Sequence, residues 1–213
     1  MAGIIDLYYK NIAEMRIQKK KIAYLQLTSK IEDYLVKEFA HLTITESSGR
    51  DFVLTNYGCA GKPRIDMCFI TGDLENPYIF GMLEAKYIRN IHRISERDKA
   101  WDETNGSLND LYERIGNYPK DQHCKLPVKL NSKDNRVYGL VFASHVTFKE
   151  EKDSDSKEFF DWILERAKPK FVFYDLKGQN PRFDTVYERE KVQVLNNTAY
   201  ATLKVGLWAK KLN

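Results

Sequence analysis

Residues 64–88 read Arg-Ile-Asp-Met-Cys-Phe-Ile-Thr-Gly-Asp-Leu-Glu-Asn-Pro-Tyr-Ile-Phe-Gly-Met-Leu-Glu-Ala-Lys-Tyr-Ile, and this stretch decides the fold. Two apolar segments, 64–71 and 78–88, flank the turn-rich 72–77. Each has the length and the Ile, Phe and Tyr content of a strand. Together they predict a hairpin of neighbouring antiparallel strands. Side chains alternate faces along a strand, so Glu84 and Lys86 share one face and Leu83 and Ala85 the other. Two opposite charges thus stand near the end of a largely apolar element. Charges are costly to bury unless paired or bound to metal. Asp66 lies in the preceding strand between Ile65 and Met67.

Outward from the hairpin, residues 3–40 read as helix. At about 100° per residue, Tyr24, Leu27, Ile31, Tyr34, Leu35 and Phe39 fall on one side. Lys19, Lys20 and Lys21 precede that stripe and face solvent. Residues 41–46 and 51–57 read as strands, broken at Ser47-Ser48-Gly49. Downstream, 107–118 stacks Leu108, Leu111, Tyr112, Ile115 and Tyr118 on one helical face. Residues 136–148 read as a buried strand, 157–167 as a short helix and 170–175 as a strand. Residues 186–195 lean to strand, and 198–212 fit either state. Strands alternating with helices predict an α/β domain, a central mixed β-sheet flanked by helices. With 213 residues, one domain spanning 1–213 is expected, its helical segment 1–40 packed on the α/β core.

Composition narrows the class. Hydrophobic residues make up 43% and charged residues 30%, which excludes a disordered or fibrous chain. The formal net charge of +4 is a mild lean towards polyanions, so nucleic-acid binding requires the positive charge to gather on one face. No apolar run has the length to cross a bilayer, so no membrane partner is expected. Residues 1–21 lack a secretory pattern. Cys59, Cys68 and Cys124 form no CxxC pair, so neither a zinc site nor a disulfide framework is expected. The expected setting is reducing and cytoplasmic.

The chemistry centres on Asp66, Glu84 and Lys86. Two carboxylates brought together repel, and a divalent cation relieves the conflict. Magnesium takes oxygen ligands and often uses one or two carboxylates, with water and substrate phosphate completing its shell. Lys86 then sits where it can orient a water or stabilise charge on a phosphate. The plain alternative is a structural salt bridge on a half-exposed sheet.

An Asp on one strand and Glu-x-Lys on the next, here Arg64-Ile65-Asp66 and Leu83-Glu84-Ala85-Lys86, resembles the PD-(D/E)XK nuclease superfamily, with its restriction-endonuclease-like fold. The resemblance covers roughly residues 22–145 in element order. It implies that Asp66 and Glu84 bind Mg2+ (or Mn2+), assisted by the backbone carbonyl of Ala85, and that Lys86 helps activate the attacking water. It also implies a Glu on the preceding helix, where Glu32 fits best and Glu38 is the runner-up. Two departures stand out. Ile65 precedes Asp66 where Pro is common, and the later helix carries no Gln, leaving Asn109 or Arg114 as candidates there.

The function expected from this resemblance is a metal-dependent nuclease acting on double-stranded DNA. The alternative is a nucleic-acid-binding module on the same fold without catalysis. Arg89, His92, Arg93 and Arg97 form a basic cluster suited to phosphate contact, diluted by Glu96 and Asp98. His41, His123 and His145 are expected to be structural or exposed. Oligomeric state is open, with a homodimer compatible.

Overall fold

The computed structural model describes residues 4–28, 31–46, 51–57, 65–71, 78–90, 129–130, 136–148, 153–167 and 183–211. Helices α1 (Ile4–Ile17), α2 (Lys19–Thr28) and α3 (Glu32–Glu46) lead into strands β1 (Asp51–Tyr57), β2 (Ile65–Thr71) and β3 (Tyr78–Arg89). Then come the short β4 (Lys129–Leu130), β5 (Arg136–Thr147), helix α4 (Asp153–Ala167), and the long strands β6 (Asp184–Val194) and β7 (Asn197–Lys211).

The strands form a seven-stranded sheet in the order β1-β2-β3-β5-β7-β6, with β4 beside the start of β3. β3 pairs parallel with β4 and β5. The β1–β2, β2–β3, β5–β7 and β6–β7 pairs are antiparallel. The expected mixed α/β sheet is therefore present, and 64–71 and 78–88 are antiparallel neighbours as their patterns predict. A parallel pair demands a crossover, and the chain between β3 and β5 supplies it. Most of that crossover, including the expected helix 107–118, lies outside the described residues, as does the expected strand 170–175.

Helices cover both faces. α1 buries Ile4, Leu7, Tyr8, Asn11, Ile12 and Met15, an i, i+3, i+4, i+7 stripe. Of these, Ile4, Tyr8, Ile12 and Met15 join one core with Ile22, Ile31, Leu35 and Phe39 from α2 and α3, and Phe69, Leu83, Ala85, Leu140 and Phe142 from the sheet. Full burial of an Ile, Leu or Phe contributes roughly 1.5–3 kcal/mol, so this layer carries much of the stability. On the other face, Phe159, Phe160 and Ile163 of α4 pack on Ile88, Val141 and Ala143. The N-terminal helices are pinned to the β6–β7 edge. The Tyr8 hydroxyl lies 2.8 Å from Val205 O and 2.9 Å from Asp184 Oδ2. Arg16 donates twice to Thr185 O, and Lys19 pairs with Glu190 at 2.9 Å.

Three readings differ from expectation, and one open reading is resolved. The segment read as one helix over 3–40 falls in three helices, interrupted at Gln18 and again at Ile31. The stripe survives where it continues, with Ile31, Leu35 and Phe39 buried, but Tyr24 turns outward at 52% exposure. Residues 41–46, expected as a strand, are the end of α3. There the β-branched Thr43, Ile44 and Thr45 yield to a helix already anchored by Leu35, Val36, Phe39 and Ala40. The helix expected at 157–167 begins at Asp153. The ambiguous C-terminal stretch is strand β7. No helix among the described residues is long and apolar enough to cross a membrane.

Candidate active site

The sheet positions the site by parting two of its strands. β1 follows β2 from Asp51↔Thr71 to Tyr57↔Ile65. The β2–β3 ladder, by contrast, stops at Met67↔Leu83. Beyond it the donors of β3 that face β2 have lost a strand partner. Two carboxylates take them up. Asp66 Oδ2 accepts from Ala85 N–H at 2.7 Å, and Glu32 Oε2 accepts from Tyr87 N–H at 2.9 Å. Ala85 and Tyr87 are alternate residues of one strand, so these seats lie roughly 6.7 Å apart along β3. Within an extended strand, N–H and C=O of one residue face the same neighbour. The Ala85 carbonyl therefore opens into the gap between the two carboxylates.

Glu84 and Lys86 flank Ala85. Their odd-numbered neighbours Leu83 and Ala85 pack under the N-terminal helices, and Ile88 packs under α4. Glu84 and Lys86 thus share the α4 face, both half-buried. Continuing the β2–β3 register one step sets Asp66 opposite Glu84. Glu32 stands in the first turn of α3, on the other side of the sheet, and reaches the same strand end.

Electrostatics tie the group together. Burial pushes the Asp66 carboxyl above the ordinary Asp range, while the Ala85 N–H and the Lys86 charge pull it back. Burial likewise raises Glu32; Lys86 pulls it down, the Asp66 charge pushes it up, and the Tyr87 N–H pulls it down. Lys86 thus acts on both carboxylates. Partly desolvated carboxylates beside one lysine favour a further cation. Among the described residues no three His, Cys, Asp or Glu side chains gather as a cation-binding group. The set that could hold a cation here is two carboxylates, Asp66 and Glu84, with the Ala85 carbonyl. It is all hard oxygen, and it fits magnesium, which needs only one or two carboxylates from the protein. Asp66 spends Oδ2 on Ala85, so Oδ1 is the atom it could offer to a cation.

Of the basic cluster, Arg89 is described, and its guanidinium points inward. Nη2 donates to the Gln26 carbonyl at 3.0 Å, and Cζ lies 5.9 Å from the Tyr87 ring centroid. His92, Arg93 and Arg97 lie outside the described residues. His41 is exposed, and His145 is buried with its ring 5.9 Å from that of Phe159. The Cys68 thiol is buried, and burial pushes it up to about 12, which leaves it inert. Sequence reading missed Tyr87 and Gln26. The signal for Gln26 was a polar side chain on the buried face of α2, beside Ile22 and Ala23.

Comparison with protein-family models, with curated proteins and with solved structures gives no match for this chain. Its class rests on the fold: an α/β protein whose mixed sheet lies between helical layers.

Proposed function

We propose that the chain is a magnesium-dependent nuclease that hydrolyses phosphodiester bonds, most directly in double-stranded DNA, in a cytoplasmic setting. The observation that carries this reading is the Asp66 carboxylate seated on the Ala85 N–H where β2 leaves β3. It lies beside Glu84 and Lys86, with Glu32 on the next donor of the strand.

In this reading Asp66, Glu84 and the Ala85 carbonyl hold the ion. Bound magnesium supplies charge stabilisation at the phosphate and lowers the pKa of a bound water. Lys86 orients the attacking water and offsets negative charge that builds on the phosphate. Glu32, raised above the ordinary Glu range by burial, is the further carboxyl that the strand end holds beside this site.

The test is incubation with linear, circular, branched and single-stranded DNA and with RNA, each with and without magnesium. Cleavage that requires the metal supports the nuclease. Binding without cleavage in either condition makes the chain a nucleic-acid-binding module, and neither binding nor cleavage removes nucleic acid from the account.

A further inference from the structure

Gln26 is fully buried on the inner side of α2. The strand registers align Arg89 with Ser144, Ser144 with Leu203, and Leu203 with Tyr187. These four residues form a single row running across β3, β5, β7 and β6. Gln26 sits over that row and bonds along it. Its Nε2 donates to Ser144 Oγ at 2.6 Å and to Thr202 O at 3.4 Å. Its Oε1 accepts from the Tyr187 hydroxyl, and its backbone carbonyl accepts from Arg89 Nη2 at 3.0 Å. The last contact has a charged donor, which makes it the strong kind. Together these bonds fix where the end of α2 stands over the sheet and how it is rotated.

The same short stretch of β3 carries a second tether. Arg89 binds the end of α2, and Tyr87 holds Glu32 at the start of α3 through its N–H. The chain from 26 to 32 is thereby tied to the strand from 87 to 89 at both ends. The Arg89 guanidinium is turned inward: it lies near the Tyr87 ring, and its Nε is buried, at a cost, without a hydrogen-bond partner. The Tyr87 hydroxyl is likewise buried without a hydrogen-bond partner. An arginine committed this way is poorly disposed for phosphate contact.

We infer that Arg89 is a positioning residue: its bond to the Gln26 carbonyl sets α2 against the end of β3, so that Glu32 reaches the Tyr87 N–H and enters the site. The importance of Glu32 to cleavage rests on the nuclease reading, but the seating of Glu32 does not.

Amide hydrogen exchange tests the seating directly, on the full chain without substrate. In Arg89→Met the Tyr87 amide should exchange at least tenfold faster than in wild type, while the Ala85 amide, held by Asp66, keeps its rate. Arg89→Lys, whose ammonium can still reach the Gln26 carbonyl, should restore most of the Tyr87 protection. In cleavage assays Arg89→Met should lose turnover with KM and salt dependence unchanged. Unchanged Tyr87 protection, or equal loss at both amides, overturns the inference. So does a raised KM with a weaker salt dependence and normal turnover, which marks a phosphate contact. Should Arg89→Met fail to fold, Tyr187→Phe decides. It takes one hydroxyl from Gln26 and should speed Tyr87 exchange modestly without touching Ala85, and no change there refutes the idea. A wild-type protein that cuts nothing sinks the nuclease reading, and the exchange rates still judge the seating.

Discussion

A strand-end lysine between two carboxylates can be their salt-bridge partner or a reagent, and Lys86 is the residue whose substitution separates these roles. Its charge acts on Asp66 and on Glu32. As a reagent, Lys86→Met should melt close to wild type, keep metal and substrate affinity, and lose roughly a hundredfold or more in turnover. As a mere ion-pair partner it should melt lower and cut normally per folded molecule. Melting temperature, affinity and rate measured on the one variant decide between them. Asp66 makes a prediction in pH. Burial raises its folded carboxyl above the unfolded value, so the folded state holds the proton more tightly. This carboxyl's contribution to stability is therefore greatest below the unfolded value, about pH 4, and declines as pH rises through it towards the raised folded value. Asp66→Asn removes the charge and keeps an oxygen able to accept the Ala85 N–H. In metal-free buffer it should melt higher than wild type at pH 7, with the gap closing as pH falls towards about 4. Equal melting at pH 7 would show that the carboxylate carries no such cost. The alternation of Glu84 and Lys86 is legible in the sequence, since period two alone assigns them one face. The seats of Asp66 and Glu32 are not, because they exist only where β2 parts from β3.

Elements were legible where a short apolar run is bounded by turn residues. β2 and β3 declared themselves by apolar runs around a turn. β7 did not: Ala201, Thr202, Leu203, Val205 and Gly206 are all buried, so no alternation separates a strand from a helix there. The end of α3 misled in the opposite way, since Thr43, Ile44 and Thr45 favour strands locally while the helix is held by its packing. Neither Gly nor Pro marks the interruption at Gln18, where helical bonds continue from Gln18 N to Glu14 O and from Ile22 N to Gln18 O. Docking of α1 on β3 can be probed at Gly81. A Cβ there would come 2.2 Å from Ile4 Cδ1, the tip of a flexible side chain. Gly81→Ala should therefore cost about 1–3 kcal/mol. Ile4→Val removes that methyl, so the double variant should be more stable than the sum of the single changes by roughly 0.5 kcal/mol or more in chemical denaturation. Strict additivity would place α1 elsewhere.

At the scale of the molecule, the β2–β3 ladder opens inside a mixed sheet with helices on both faces, and two carboxylates, Asp66 and Glu32, take up the donors there. The α/β class followed from the order of elements, whereas the split of the helices between two faces required the packing itself. Charge is divided as well. Lys19, Lys20 and Lys21 are exposed at the start of α2, while α4 exposes Glu158, Asp161 and Glu165. A polyanion lying along the sheet would meet repulsion from α4 and attraction near α2. The most direct measurement of the central claim is DNA cleavage by wild type and Asp66→Ala side by side, at matched folded concentration, across a magnesium titration. The account predicts wild-type cleavage that rises with magnesium and vanishes on chelation, and an Asp66→Ala protein that stays folded and cuts nothing. Full cleavage by Asp66→Ala, or wild-type cleavage indifferent to magnesium, would contradict it.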